Sequence, residues 1–91
     1  MRPAQDSQSI EIESFEPKRR AGVVELRPVA GQPFSSDLRV EGNKSLIADY
    51  PVGTRFKAQV ALTDKPAGAG QFLYSSWQWD VQVLSRPDME D

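Results

Sequence analysis

Hydrophobic and polar side chains alternate along two neighbouring stretches of the chain, residues 54–63 and 72–84. A repeat of two residues is the period of a β-strand, in which successive side chains point to opposite faces of the sheet. We expect the two strands to pair antiparallel with Phe56 opposite Trp79, so that large side chains meet small ones over most of one face. The pattern therefore predicts a long C-terminal hairpin with Trp77 and Trp79 in the core.

The same register fixes the remaining cross-strand neighbours. On the face of the indoles it predicts the pairs Ala58–Trp77, Val60–Ser75 and Leu62–Leu73, and on the other face Arg55–Asp80 and Lys57–Gln78. Pairs of complementary charge or shape contribute roughly 0.2–1 kcal/mol each to a sheet. Asp80 is accordingly predicted to be a structural partner of Arg55 rather than a catalytic acid.

Two shorter strands are predicted in the first third of the chain. Residues 9–15 alternate, with isoleucines on one face and glutamates on the other, which is typical of a half-exposed or edge strand. Residues 23–27 form the second strand, and Pro28 ends it because proline has no N–H to give to a sheet. The loop that follows contains Phe34, which we expect to pack back under the loop as an apolar plug.

The middle of the chain allows two interpretations. Residues 37–41 and 45–50 flank a Gly-Asn-Lys connection, which favours a hairpin because Gly and Asn readily take positive φ. In the weaker alternative, Ser45 caps one helical turn over residues 46–49. Further on, residues 64–71 hold two glycines and a proline and should form the most mobile connection.

The overall pattern predicts an all-β domain. Convincing helical periodicity is absent from the sequence, and turn signals recur at the short spacing of small barrels and sandwiches. We expect a small antiparallel barrel or sandwich of five or six strands, with the long hairpin at its C-terminal end. Residues 8–85 would form this single domain, residues 1–7 a frayed N-terminal tail and residues 86–91 an acidic C-terminal tail.

Composition removes several classes of chemistry. The chain has no His and no Cys, which excludes imidazole bases, thiolate nucleophiles and the commonest metal ligands. Asp49, Asp64 and Asp80 are the acids best placed to shape a site, but no catalytic or phosphate-binding motif accompanies them. The prediction is a non-enzymatic protein with no cofactor and no metal site.

The charge is unevenly distributed along the sequence. The net charge is −2, yet residues 18–86 hold ten Lys or Arg against six Asp or Glu, while the two ends hold a single Arg against seven acids. Acidic ends can shield a basic body from other anions or simply keep a small domain soluble. Lys18-Arg19-Arg20 is the densest basic cluster, and such clusters on turns are usually solvated.

One surface stands out as a tentative binding site. The second face of the predicted hairpin would carry an aromatic and basic strip, formed by Arg55, Lys57, Gln59, Phe72, Tyr74 and Gln78. Strips of this composition can stack bases and follow a phosphate backbone. The alternative interpretation is that the two aromatic rings are covered by a second sheet and that the cations form a solvated rim.

The function predicted from these observations is a non-catalytic interaction or binding module, with a protein partner or self-association as the favoured mode. Apolar area left uncovered in so short a chain would be completed by a second copy, or a partner strand would add to an open edge. Nucleic-acid binding through the aromatic and basic strip is the alternative, although a pI near 5.1 counts against it. No apolar segment is long enough for a membrane span, so we expect a cytoplasmic protein with no membrane partner.

Overall fold

The computed structural model describes residues 7–87, and it is dominated by strands. Of the predicted tails at residues 1–7 and 86–91, residues 1–6 and 88–91 lie outside the described residues. One short helix, α1, and a 3-10 turn at Pro66–Gly68 interrupt the strands. The strands are β1 (Gln8–Phe15), β2 (Glu25–Pro28), β3 (Val40–Glu41), β4 (Arg55–Asp64), β5 (Gln71–Tyr74) and β6 (Val81–Ser85), and α1 spans Ser45–Ala48.

The six strands form one curled sheet with the order β2-β1-β4-β5-β3, and β6 pairs with β4 beside this path. The sheet closes into a half-barrel, which confirms the all-β, partly barrel-like prediction. The predicted antiparallel arrangement holds for most strand pairs but is wrong for β3 and β5, which run parallel. Because β2 and β3 end the path, the open side of the half-barrel lies between them.

The core fills the concave side of this sheet. Its fully buried side chains include Ile12, Leu26, Phe56, Val60 and Leu73. The alternation predicted for β1 is confirmed, since its isoleucines are buried and its two glutamates are not. Partly buried hydrophobics, Phe34 among them, pack against this cluster and extend it under the loops, so the plug predicted for Phe34 is confirmed.

The long C-terminal hairpin is interrupted. Leu62 lies opposite Leu73, as predicted, but the chain leaves the sheet after Tyr74 and rejoins β4 only as β6. In β6 it is Val83 that lies opposite Phe56, and Gln82 opposite Lys57. The predicted pairs Phe56–Trp79, Ala58–Trp77, Arg55–Asp80 and Lys57–Gln78 are therefore wrong, whereas Val60–Ser75 lies one position beyond Ala61–Tyr74, the last β4–β5 pair of the predicted register.

The interruption is a loop over residues 75–80, built on local hydrogen bonds. Ser76 accepts from the backbone N–H of Trp79 through its carbonyl (3.1 Å) and from the N–H of Gln78 through its hydroxyl (3.1 Å). Trp77 stands at 70% exposure on this loop, which corrects its predicted core position, whereas Trp79 is 7% exposed. Alternation did not reveal the loop, because Trp77 and Trp79 continue the two-residue repeat that begins with Leu73 in β5.

The connection after β3 is helical. Residues 45–48 form α1, so the hairpin predicted for residues 37–50 is wrong. The weaker alternative, a single helical turn in this segment, is confirmed. Ser45 is the first residue of α1 rather than its cap, and its hydroxyl donates to Oδ1 of Asn43 at 2.7 Å. Strand β3 has only two residues. It pairs with β5 and not, as the predicted hairpin required, with residues 45–50. Among residues 7–87, no helix has the length and apolar character that a membrane crossing requires.

Candidate functional site

The basic half of the predicted strip lies on the outer face of β4, opposite acids of β1. Arg55 is paired with Glu13 and Lys57 with Glu11 across the two strands. The Nε atom of Arg55 lies 3.7 Å from one carboxylate oxygen of Glu13, and the other oxygen accepts from Nε of Arg27 in β2 at 2.8 Å. Two acids of β1 thus lie opposite the two cations of the strip, and one of them, Glu13, forms an ion pair with Arg55.

The aromatic half of the strip lies elsewhere along the same strand. Phe72 is half-buried opposite Thr63, and Tyr74 is opposite Ala61. At the rise of a strand, Thr63 lies roughly 26 Å from Arg55 along β4. The structure therefore brings Arg55 close to Lys57 but separates both from the two rings.

Gln59 and Gln78 complete the predicted set. Gln59 accepts a hydrogen bond from the hydroxyl of Ser7 at 3.2 Å, and it borders a shallow depression of about 300 Å³ together with Lys57 and Asp80. Gln78 is exposed on the loop at residues 75–80. Asp80, which was expected to pair with Arg55, instead faces this depression.

A larger groove lies where the half-barrel is open, between β2 and β3. It has a volume of about 590 Å³. Residues 23–26 form one wall and residues 39–44 the other, and Arg20, Ile47 and Lys65 complete the lining. We call it the seam groove.

The β2 wall of the seam groove is the edge of β2 that faces away from β1. The N–H of Val29 donates to the carbonyl of Glu11 in β1 at 3.0 Å. Since N–H and C=O groups of successive residues point to alternate sides of an antiparallel strand, those of Leu26 point away from β1 and toward the groove. Pro28 is two residues after Leu26, so its backbone also faces away from β1, and the N–H that proline lacks is not needed for pairing with β1.

The β3 wall has the same property. The carbonyls of Arg39 and Glu41 accept from the N–H groups of Leu73 in β5 and of Ser75 just after it, at 2.9 and 2.8 Å. By the same alternation, the N–H and C=O of Val40 point away from β5 and toward the groove. Two strand edges therefore face one another across the seam without pairing.

A salt-bridge clasp joins the two walls. Glu25 of β2 accepts from Nε of Arg39 through one oxygen and from Nη1 of Arg20 through the other, each at 2.8 Å. Arg39 is further fixed by three bonds to loop carbonyls at 3.2 Å and by the Phe15 ring, whose centroid lies 4.7 Å from its guanidinium carbon. The clasp links the two walls of the seam groove and holds Arg39 by several contacts at once.

The remaining charge of the seam groove is positive. Four cations line it, Arg20, Arg39, Lys44 and Lys65, against Glu25 and Glu41. Within residues 7–87, neither lysine has an ion pair, and both side chains are exposed. The lysines are thus the cations of the groove that remain available to a ligand.

The turn at Gly42 forms one end of the seam groove and depends on its missing side chain. Gly42 has φ of +104°, and a Cβ added there would lie 2.7 Å from the carbonyl oxygen of Ser75 and 2.7 Å from the ring of Tyr74. The next residue, Asn43, is 4% exposed although it is polar. Glycine therefore allows the turn to press against the start of the loop at residues 75–80.

Sequence reasoning identified parts of this site without assembling it. The Gly-Asn-Lys turn and the cluster at Arg20 were both recognised, the first as a hairpin turn and the second as a solvated charge. Their proximity depends on β3 pairing parallel with β5, a contact between distant segments that local alternation does not encode. No signal in the sequence marked Glu25 and Arg39 as partners.

The acids do not form a metal centre. Within residues 7–87, no group of three or more Asp or Glu side chains is arranged to hold an ion. Comparison of the chain with protein-family models, with curated proteins and with solved structures finds no match.

Proposed function

We propose that this domain is a non-catalytic binding module, which holds an acidic, extended segment of a partner protein in the seam groove. The observation that carries the proposal is the coincidence of two unpaired strand edges with an excess of positive charge. A β-edge gives affinity for any extended backbone, and the side chains around it select the sequence. Here the side chains favour carboxylates.

The two sources of attraction act on different parts of the ligand. Backbone groups of Leu26 or Val40 would bond to the backbone of the incoming segment, and the buried Leu26 and Val40 side chains with Ile47 give the groove an apolar floor. Carboxylates of the ligand would meet Lys44 and Lys65 at the rim. Charged contacts of this kind mainly raise the association rate and the selectivity of binding, and salt weakens them.

Glu25 has a structural part in this proposal. Both of its oxygens are engaged by arginines at 2.8 Å, so its charge is committed to holding Arg20 and Arg39. The clasp keeps a net charge of +1, but Arg20 and Arg39 are already bonded to Glu25, and the two lysines that line the groove have no such partner among the described residues. We therefore expect the lysines, not the clasp, to determine the preference for acidic ligands.

Nucleic-acid binding on the outer face of β4 is less well supported. A phosphate backbone placed along Arg55 and Lys57 would also approach Glu11 and Glu13, and like charges at such distances repel. Phe72 and Tyr74, the rings of the predicted strip, lie opposite residues farther along β4 and would not meet its bases beside those cations. The seam groove has fewer acids than cations, and for this reason the peptide is the ligand that we propose.

The test uses fluorescently labelled peptides in anisotropy titrations with the full chain. An extended peptide that alternates Glu and Val should bind at low salt and weaken as salt rises, while its Lys–Val counterpart should not bind. Lys44→Glu and Lys65→Glu should each weaken binding about tenfold or more, because attraction becomes repulsion. Lys57→Glu is the matched control on the outer face and should bind as the wild type does.

Three results would contradict the proposal. The first is no binding of the acidic peptide at low salt, the second an equal loss in all three variants, and the third equal binding of the basic peptide. A labelled single-stranded oligonucleotide is titrated in parallel. If it binds more tightly than the acidic peptide and Lys57→Glu abolishes that binding, the outer face of β4 is the site and the peptide proposal is wrong.

A further inference from the structure

The sequence of the chain contains a segment with the chemistry that the seam groove selects. Residues 88–91 read Asp-Met-Glu-Asp, so three of their four side chains are carboxylates. Asp88 and Glu90 are two positions apart with Met89 between them, and in an extended segment such residues point to opposite sides. The segment thus has the alternation of acidic and apolar side chains that we propose for a ligand of the groove.

The point at which this segment begins is close to the β2 wall of the seam groove. Pro87, which precedes it, lies against the turn before β4, because a Cβ added at Gly53 would lie 3.5 Å from Cγ of Pro87. The N–H of Gly53 donates to the carbonyl of Ser14 at 3.0 Å, and Ser14 is paired with Leu26. Leu26 lines the groove, so three direct contacts connect Pro87 with it.

The length of the segment matches this separation. Neighbouring backbones in a sheet lie about 5 Å apart, and three such steps place Leu26 roughly 15 Å from Pro87. Four extended residues span about 13–14 Å, and their side chains extend the reach further. Residues 88–91 can therefore enter the groove of the chain to which they belong.

Of the two lysines of the groove, Lys44 is the one within reach. Lys44 directly precedes α1, and at the rise of a helix it lies roughly 9 Å from Tyr50. The next residue, Pro51, accepts a hydrogen bond from the hydroxyl of Ser14 at 3.3 Å, beside the Gly53 turn. Lys65, in contrast, follows the opposite end of β4, a strand roughly 30 Å long.

We propose that residues 88–91 bind in the seam groove of their own chain, at the end formed by Leu26 and Lys44, and compete there with the acidic segment of a partner. This inference rests on the proposed function, because it assigns a regulator to the same site. The carboxylates of the segment pair with Lys44, and Met89 contacts the apolar floor at Leu26. The apparent affinity for a partner then falls in proportion to the fraction of molecules whose groove is free.

This competition raises the selectivity of the groove. A partner segment long enough to pair with both lysines gains a contact at Lys65 that residues 88–91 do not make. Such a segment displaces them, whereas a short or weakly acidic one does not, since it offers no more than the contacts already present. Discrimination between ligands by a difference in affinity of this kind needs no change in the walls of the groove.

The first experiment locates the segment in the full chain without any peptide. The chain has no cysteine, so Met89→Cys provides a single site for a nitroxide spin label. In NMR spectra the label should broaden the backbone amide signals of Leu26 and Lys44 strongly and that of Lys65 much less, and salt should relieve the broadening. Lys44→Glu should also relieve it at Leu26. Lys65→Glu is the matched control and should leave it unchanged.

The second experiment measures the competition with the Glu–Val peptide by anisotropy at low salt. Asp88→Asn with Glu90→Gln should lower the dissociation constant about threefold or more, as expected where the segment occupies the groove in at least two thirds of the molecules. Glu11→Gln with Asp80→Asn removes the same charge from the outer face and should bind as the wild type does. Circular dichroism identifies any variant that fails to fold.

The outcomes separate this inference from the proposed function. Equal peptide affinity in all forms, with no broadening at Leu26 and Lys44, overturns the inference and leaves the proposed function intact. No peptide binding by any form overturns the proposed function and the competition with it. A mixture of isotope-labelled chains and spin-labelled chains completes the test. Broadening that persists in this mixture would place the segment in the groove of a second copy, and the assignment to the same chain would be wrong.

Discussion

The ring of Tyr74 lies edge-on to the indole of Trp79, with centroids 5.5 Å apart and planes at 87°. This contact lies at the loop of residues 75–80 and is separate from the main apolar cluster, to which Trp79 does not belong. The Nε1 atom of Trp79 is buried without a hydrogen-bond partner. Trp79 therefore holds the loop against the sheet by packing alone, while Trp77, two residues before it, is exposed.

The two indoles should consequently differ in their effect on stability. Trp79→Ala removes a buried ring and leaves a void, which should lower the free energy of unfolding by roughly 3–5 kcal/mol. Trp77→Ala alters an exposed side chain and should change it by less than about 0.5 kcal/mol. Urea denaturation followed by circular dichroism measures both. Equal losses at the two positions would show that the loop is not packed as described.

Trp79→Phe is the control for this pair. It keeps an aromatic ring against Tyr74 and removes the unpartnered N–H, whose burial costs about 1–3 kcal/mol. We expect it to retain most of the stability that Trp79→Ala loses. A loss as large as that of Trp79→Ala would indicate that Nε1 has a partner, such as a bound water.

The C-terminal hairpin shows how far alternation predicts this fold. The register of Leu62 with Leu73 was correct because both strands are regular there. Beyond Tyr74 the prediction failed, since six residues can leave a sheet without breaking the two-residue period on either side. Tertiary packing then decides which of the two indoles faces the core and which faces the solvent, and the local sequence pattern carries no information about that packing.

A methyl group at Gly42 should be poorly tolerated. Gly42→Ala places a Cβ against a backbone carbonyl and the Tyr74 ring, and it forces an L-residue to keep φ of +104°. Strain of this kind costs on the order of 1–3 kcal/mol before any displacement of the turn. Gly31→Ala is the matched control, because Gly31 has a similar φ of +92° but no atom within 4 Å of the added Cβ.

Thermal denaturation of the two glycine variants separates backbone strain from the close approach. Both should lower the midpoint, and Gly42→Ala should lower it further. If the two shifts are equal, the Gly42 turn does not press against Ser75, and the adjacent end of the seam groove is looser than described.

The clasp at Glu25 provides a third prediction. Arg39→Ala removes the bond to Glu25, three bonds to loop carbonyls and the contact with Phe15. Hydrogen bonds that involve a charged group contribute roughly 1.5–3 kcal/mol, so we expect a loss in that range. Arg20→Ala removes one bond from a side chain that is 63% exposed and should cost less than about 1 kcal/mol.

Chemical denaturation of the two arginine variants provides the measurement. A similar cost at both positions would show that Arg39 does not bridge the walls of the seam groove. Arg39→Lys tests the geometry, because lysine keeps the charge but cannot bond to Glu25 and several carbonyls at once. It should recover less than half of the loss.

Individual residues of the seam groove could be picked out from the sequence, but the fact that they line one groove could not. Turn chemistry located Gly42, and a charge count located Arg20, because both are local properties. The groove arises from the curvature of the sheet, which brings the ends of the strand order close together. Curvature and strand order depend on contacts between distant segments, and they decide which charges share a surface.

The acids of β1 give the last prediction. Glu11 and Glu13 lie beside Lys57 and Arg55 and neutralise the outer face of β4. Glu11→Gln with Glu13→Gln would leave a net positive strip there, and affinity for a single-stranded oligonucleotide should rise with a steep dependence on salt. Anisotropy titration at low salt measures this change.

The matched control is Asp37→Asn with Asp49→Asn, which alters the net charge equally at exposed positions away from β4. Because the β1 pair lies opposite the cations of the strip, whereas Asp37 and Asp49 are not paired with them, the control should bind the oligonucleotide no better than the wild type. Equal gains in both double variants would mean that net charge, not the pairing of β1 with β4, limits oligonucleotide binding. The local neutralisation inferred from the cross-strand register would then have no consequence for binding.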